Sequence, residues 1–168
     1  MDVPDGELEQ LTQFDSWAGT WSPDGREIVV ASPEGLYRLD RSGRNLRQIS
    51  NMPADQPQWS ADGSWLAYTT VPLNQRVAEA AAVGDDTDSV AHDLWLMKPD
   101  GTNLRQVATN TRWHRWSPTD DLLGYITGTG THAGGATGDA LFYLWTVTPS
   151  GTPQLIAEVN EPFFSWSK

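Results

Sequence analysis

The sequence contains no cysteine, which excludes a disulfide framework, a thiolate metal site and a cysteine nucleophile. No apolar run reaches the ~18 residues of a membrane helix, and no basic stretch leads into an apolar one at Met1. The expectation is a chain with neither membrane insertion nor an export signal. Basic residues are scarce: 11 Lys and Arg stand against 22 Asp and Glu, a formal net charge of −11. Such a surface repels phosphate backbones and anionic lipid, so nucleic acid is not an expected partner. The 3 His (His92, His114 and His132) lack the spacing of metal ligands. Neither a G-x-S-x-G nor an H-E-x-x-H motif is present. No catalytic residue, metal or cofactor is therefore expected.

What the chain does have is tryptophan, 9 in 168 residues, against a hydrophobic fraction of only 38%. Much of any core must be aromatic. The Trp fall into a pattern. The phrase WSPDG (residues 21–25) returns as WSADG (59–63), decays to WSPTD (116–120) and ends the chain as WSK (166–168). A second phrase follows each complete copy: LYRLDRSGRNLRQI from Leu36, LWLMKPDGTNLRQV from Leu94 and LWTVTPSGTPQLI from Leu144. The spacing between copies varies, but the segment from the second phrase to the next Trp is nearly constant. Stacked repeats with loop insertions have this signature.

Each repeat reads as four strands. In Ser-Pro-Asp-Gly, Pro presets φ, Asp fits the next turn position and Gly takes the left-handed one, as in a hairpin loop with a Gly bulge. The following strands, REIVVAS, SWLAYTT and DLLGYIT, are apolar on both faces, as strands covered on both sides should be. Their middle residue is small each time (Val29, Ala67, Gly124), which lets a neighbouring sheet approach. The last strand is the most polar and suits an outer edge.

Four antiparallel strands per stacking unit make a propeller blade. The two phrases resemble the TolB-like (WD-repeat-like) β-propeller repeat, over residues 4–167 apart from two insertions. An all-β fold of four-stranded blades is thus expected; a β-sandwich would explain the turns but not the matched phrases. The third copy departs from the pattern. Asp120 replaces the Gly, which predicts a looser turn, and its last strand is one residue short.

The expected organisation is a single partial propeller. Residues 1–12 form the last strand of a preceding blade. Blades occupy 13–50, 51–109 with an insertion at 71–92, and 110–158 with an insertion at 128–140. Residues 159–168 form the first strand of a next blade. Known propellers have about 4 to 8 blades. The expectation is a window of a longer propeller, with completion by another chain or copy, or an open arc with exposed blade faces, as alternatives.

In a propeller the first strand of each blade lines the channel. Asp15, Trp17, Asp55 and Glu161 precede the repeated Trp and are expected near one channel mouth. Arg112, Trp113 and His114, with Arg115, form a basic-aromatic stretch on an acidic chain, suited to an acidic or peptide ligand; the alternative is ordinary alternation between channel and packing faces. Asp85, Asp86 and Asp88 could offer oxygens to a cation but lack an EF-hand's spacing, and a solvated acidic loop is preferred. Trp21, Trp59, Trp116 and Trp166 are expected to pack between blades rather than to form a carbohydrate platform.

The resemblance implies a non-enzymatic, periplasmic envelope-type scaffold that binds a protein or peptide partner. Two alternatives also leave this chain without catalysis. One is the gating propeller of a prolyl-oligopeptidase-type serine peptidase whose catalytic domain lies elsewhere. The other is a carbohydrate-binding propeller.

Overall fold

The Trp-Ser phrases fold as the turns their chemistry dictates. In a computed structural model that describes residues 10–70, 92–129, 141–160 and 164–166, Ser22 N donates to Glu27 O and Gly25 N to Ser22 O, both at 2.9 Å. Gly25 has φ 68°, the left-handed conformation that glycine adopts without a steric penalty. Ser22 Oγ donates to Asp24 Oδ1 at 2.6 Å and accepts from Glu27 N at 3.0 Å. The second copy repeats this: Gly63 has φ 74°, and Ser60 Oγ donates to Asp62 Oδ1 at 2.6 Å. The third copy is looser. Ser117 N still donates to Leu122 O at 2.8 Å, but Asp120 N now reaches Ser117 Oγ at 3.2 Å. Thr119 stands where the first two copies have the Asp that accepts the Ser hydroxyl.

These turns join inner to second strands. The first blade comprises β1 (Ala18–Trp21), β2 (Glu27–Ser32), β3 (Gly35–Asp40) and β4 (Arg47–Ser50), antiparallel in that order. The second blade begins with β5 (Asp55–Trp59), β6 (Leu66–Thr70) and β7 (His92–Met97). It then shares β8 (Arg105–Trp116) with the third blade, which continues as β9 (Leu123–Thr129), β10 (Leu141–Val147) and β11 (Gln154–Val159). The early part of β8 pairs with β7, as the outer strand of one blade. Its later part pairs with β9, as the inner strand of the next, after a register shift between Thr111 and Trp113. One 7-stranded sheet results. Asn110 takes φ 54° just before that shift.

The core lies between blades. Val29, Ala31 and Leu36 of the first meet Leu66, Tyr68 and Met97 of the second. Ala67, Leu94 and Leu96 of the second meet Trp116, Leu123, Tyr125 and Val147 of the third. β6 thus buries alternate residues against both neighbours, and each large buried side chain stabilises by about 1.5–3 kcal/mol. Arginines tie the outer parts: Arg38 Nη1 donates to Pro99 O at 3.2 Å, and Arg105 Nη1 to Gly151 O at 3.1 Å.

Both end blades carry chain over their faces. Phe14 packs on Tyr37 of β3 with ring centroids 4.5 Å apart, and Ile28 and Leu39 are buried. Phe164 and Trp166 lie over Gly124 so closely that a Cβ there would meet them at 2.5 and 3.0 Å. Residues 1–9 of the expected N-terminal strand lie outside the described residues; residues 164–166 are described and lie outside any ladder. Among the described residues no helix is long and apolar enough to cross a membrane.

Candidate functional site

β1 lies against β5, and β5 against β8, so the inner strands of the three blades are neighbours along the side expected to line the channel. The residues expected at its mouth do not form a single cluster. Asp15 is exposed and lines a groove of about 290 Å³ with Phe14, Ser32, Pro33 and Glu34, beside the β2–β3 turn. None of the other candidates lines it. There Tyr37 Oη donates to Glu34 Oε2 at 3.1 Å, and Gln48 Nε2 to Glu34 O at 2.8 Å. Partial desolvation, then the Glu34 hydrogen bond, raises the Tyr37 phenol above its ordinary range.

Trp17 is half-exposed, and its Nε1 donates to Ala54 O at 3.0 Å, a tie from the first blade to the second. The Asp55 carboxylate accepts from Gln56 N at 2.7 Å, which occupies it locally. Arg112 is partly buried, and Trp113 is 36% exposed.

His114 is corrected by its burial. Only 1% of it is exposed, so it is out of reach of a ligand at the mouth. Its Nε2 sits 3.0 Å from Gln56 O, and its own carbonyl accepts from Gln58 Nε2 at 3.1 Å. Both contacts join the second blade to the third. Desolvation lowers its pKa to about 4, opposed by the Gln56 hydrogen bond and assisted by nearby His92. The ordinary alternation of the strand accounts for its position: His114 shares a face with buried Trp116, two residues on. Glu161, Asp85, Asp86 and Asp88 lie outside the described residues.

A second concavity was not foreseen from the residues. A cleft of about 370 Å³ runs across all three blades on the Trp-Ser turn side, lined by Trp21, Pro23, Trp59, Arg115, Trp116 and Pro118 among others. The repeated Trp change exposure along it. Trp116 is buried at 5%, Trp59 is intermediate, and Trp21 is 54% exposed. Trp116 Nε1 donates to Gln58 O at 3.2 Å, and Trp166 Nε1 to Arg115 O at 3.1 Å. In each case the acceptor immediately precedes the Trp of the previous blade. The available signal was the repeat position before each Trp, where Thr20, Gln58 and Arg115 align and only the last is charged. Among the described residues, no group of three or more His, Asp or Glu could hold a metal ion.

Blades of this geometry have solved counterparts. A TolB structure from Agrobacterium tumefaciens superposes with a TM-score of 0.58 at 14% identity, over 89% of this chain and 52% of that one. The fold is that of a β-propeller. An acylaminoacyl peptidase from Pyrococcus horikoshii is similar to this chain at a TM-score of 0.55 and 16% identity, over 86% of this chain and 25% of its own. The β-propeller domain of the Trilobed protease from Pyrococcus furiosus gives 0.51 at 15% identity, over 82% of this chain and 40% of its own. The chain spans about half the length of the TolB structure and less of the other two. At these identities the likeness shows the fold alone. No protein-family model matches the chain, and no curated protein matches it.

Proposed function

We propose that this chain is a non-enzymatic scaffold that binds a protein or peptide partner on the side of its inner strands, in the periplasm or another envelope compartment. The observation that carries this reading is aromatic exposure in and beside the inner strands: Trp17 is 49% exposed, Trp21 54% and Trp113 36%. Large aromatic side chains left half in water are the residues that interfaces bury and that dominate binding energy. The acidic charge disfavours nucleic acid as that partner. The TolB likeness supports the compartment by analogy of fold.

The test is crosslinking capture from a host extract, repeated with Trp21→Ala and Trp113→Ala. Loss of one identified protein in both variants, with unchanged circular dichroism, is expected. Specific capture of glycans or small molecules instead, with no protein dependent on either Trp, would refute the reading.

A second reading is a substrate-gating propeller of a serine peptidase. It is favoured by the similarity to the Pyrococcus peptidase propellers. Stable co-purification with a hydrolase domain would support it over the first.

A further inference from the structure

The later part of β8 presents an arginine whose head group no contact among the described residues engages. Trp113 and Arg115 stand opposite Ile126 and Gly124 in the ladder with β9, so their side chains leave the same face of the sheet. That face is the one the chain end covers, since a Cβ at Gly124 would meet Phe164 and Trp166. The same direction shows one blade back: Gln58, at the repeat position of Arg115, donates from Nε2 to His114 O of the following inner strand at 3.1 Å. Beside Arg115 the following segment is already in place, because Trp166 Nε1 reaches Arg115 O at 3.1 Å. The Arg115 guanidinium is nevertheless exposed and makes no ion pair or side-chain hydrogen bond among the described residues. Trp113, two residues before it, is 36% exposed. Gly124 lies directly across from Arg115, so the Trp166 ring that covers it neighbours the arginine stem. In a chain with 11 Lys and Arg against 22 Asp and Glu, an unpaired arginine among tryptophans is a specific feature.

We propose that Trp113 and Arg115 form a binding site for an extended acidic peptide, whose carboxylate bonds the Arg115 guanidinium while an apolar side chain two residues away packs on Trp113. The inference rests on the peptide-binding reading above and names the partner's chemistry. Residues i and i+2 of a strand lie about 7 Å apart on one face. An extended peptide has the same period, so a carboxylate and an apolar side chain at that spacing reach the arginine and the tryptophan together. The two carboxylate oxygens match the parallel N–H groups of a guanidinium, a charge-assisted pairing. Arginine is weakly hydrated and stacks on aromatic rings while its outward N–H groups stay available. The net charge of −11 repels an acidic ligand at long range. Salt at physiological strength screens exposed charges beyond about 8 Å, so the local cation decides. Nucleic acid carries its charges in long runs and meets the whole acidic surface, so a short peptide is the ligand that suits one isolated cation.

The probe is a short peptide of polar, strand-forming residues, blocked at both ends, with Glu-Thr-Phe at its centre. Its Gln-Thr-Phe twin removes the charge, and a Glu-Phe-Thr version puts the two groups on opposite faces. All three are titrated by calorimetry against the wild-type chain and variants with unchanged circular dichroism. The Glu-Thr-Phe peptide is expected to bind about tenfold more tightly than its twin, the size of one charged hydrogen bond. Arg115→Gln is expected to abolish that difference, and Arg115→Lys, which keeps the charge without the fork, to retain part of it. Trp113→Ala is expected to weaken Glu-Thr-Phe and its twin alike and to leave Glu-Phe-Thr unaffected. Equal binding of the twins, a difference that survives Arg115→Gln, or no binding of any of the peptides would overturn the proposal. So would capture of an identified protein that depends on Trp113 but is undiminished by Arg115→Gln, although the scaffold reading would then stand. Failure of the peptides together with the absence of any captured protein would sink both.

Discussion

The indole Nε1 of Trp116 donates to the carbonyl oxygen of Gln58 at 3.2 Å, and this rung recurs one blade on, from Trp166 to Arg115 at 3.1 Å. Each of these two Trp therefore does two things. It fills the space between sheets, and it latches its blade to the inner strand of the one before. Trp59 breaks the series: its Nε1 is buried with no hydrogen-bond partner among the described residues, and the indole tie at the junction of the first two blades is that of Trp17 Nε1 to Ala54 O.

Removing the latch while keeping a ring separates the two roles. Trp116→Phe leaves most of the apolar contact but removes the indole donor to Gln58 O. The expected cost is about 1–2 kcal/mol, with part of it from lost ring volume. Urea unfolding checks it: the midpoint should fall with the slope unchanged, since the exposed surface is the same. An unchanged midpoint would show that the rung contributes nothing net.

Gly124 sits under Phe164 and Trp166, and a Cβ would meet Phe164 Cζ at 2.5 Å. Gly124→Val is expected to lift both rings off β9 and to cost roughly 1–3 kcal/mol, as overpacking does. The same substitution should break the Trp166 to Arg115 bond, which shows as a red shift in tryptophan emission. Retained stability and emission would mean that the chain end does not pack there in solution.

His114 makes stability depend on pH in a defined window. Its pKa is lowered from 6.5 to about 4 by burial, so the fold holds it neutral while the unfolded chain takes up a proton. Stability from this group is complete above pH 6.5 and is lost as pH falls toward 4, by up to about 3 kcal/mol. His114→Gln should flatten that slope. The exposed turn carboxylates act lower. Ser22 and Ser42 hydroxyls and nearby N–H groups hold Asp24 and Asp40 below the ordinary carboxylate value, so their contribution disappears only as pH falls below it. Urea midpoints measured between about pH 4 and 8 for wild type and variant resolve the histidine window; parallel profiles would remove the assignment.

The blades were legible because their punctuation is local. Ser22, Asp24 and Gly25 bond within one turn, and so do Ser60, Asp62 and Gly63. The small residues at Ala67 and Gly124 also carried a readable meaning, close approach of the next sheet. The facing of His114 was partly legible, since its parity with Trp116 places both inward. The continuity of β8 was not, because it depends on how two sheets meet rather than on any residue in it. The cleft at Trp21 and Arg115 was hidden for the same reason. It is assembled from one position in each of three repeats, and its exposure follows from which neighbours cover each Trp.

The third turn offers a test by repair. Thr119 and Asp120 replace the Asp and Gly of the first two copies, and the tight hydroxyl-to-carboxylate bond of 2.6 Å is replaced by one of 3.4 Å from Ser117 Oγ to Asp120 Oδ2. Asp120 also lacks the positive φ of Gly25 and Gly63. Restoring Asp at 119 and Gly at 120 lets the hydroxyl bond a carboxylate two residues on, and lets the turn adopt the left-handed position without strain. Glycine adds freedom to the unfolded chain, which offsets part of the gain. The net expectation is a stabilisation of about 0.5–1 kcal/mol, read as a higher thermal midpoint. The Thr119→Asp change alone should give less, because its carboxylate would still face a turn of the wrong geometry. If the double variant were no more stable than wild type, the irregular turn would already match the requirements of the β8–β9 hairpin, and the repeat pattern would overstate the value of Ser-Pro-Asp-Gly at this site.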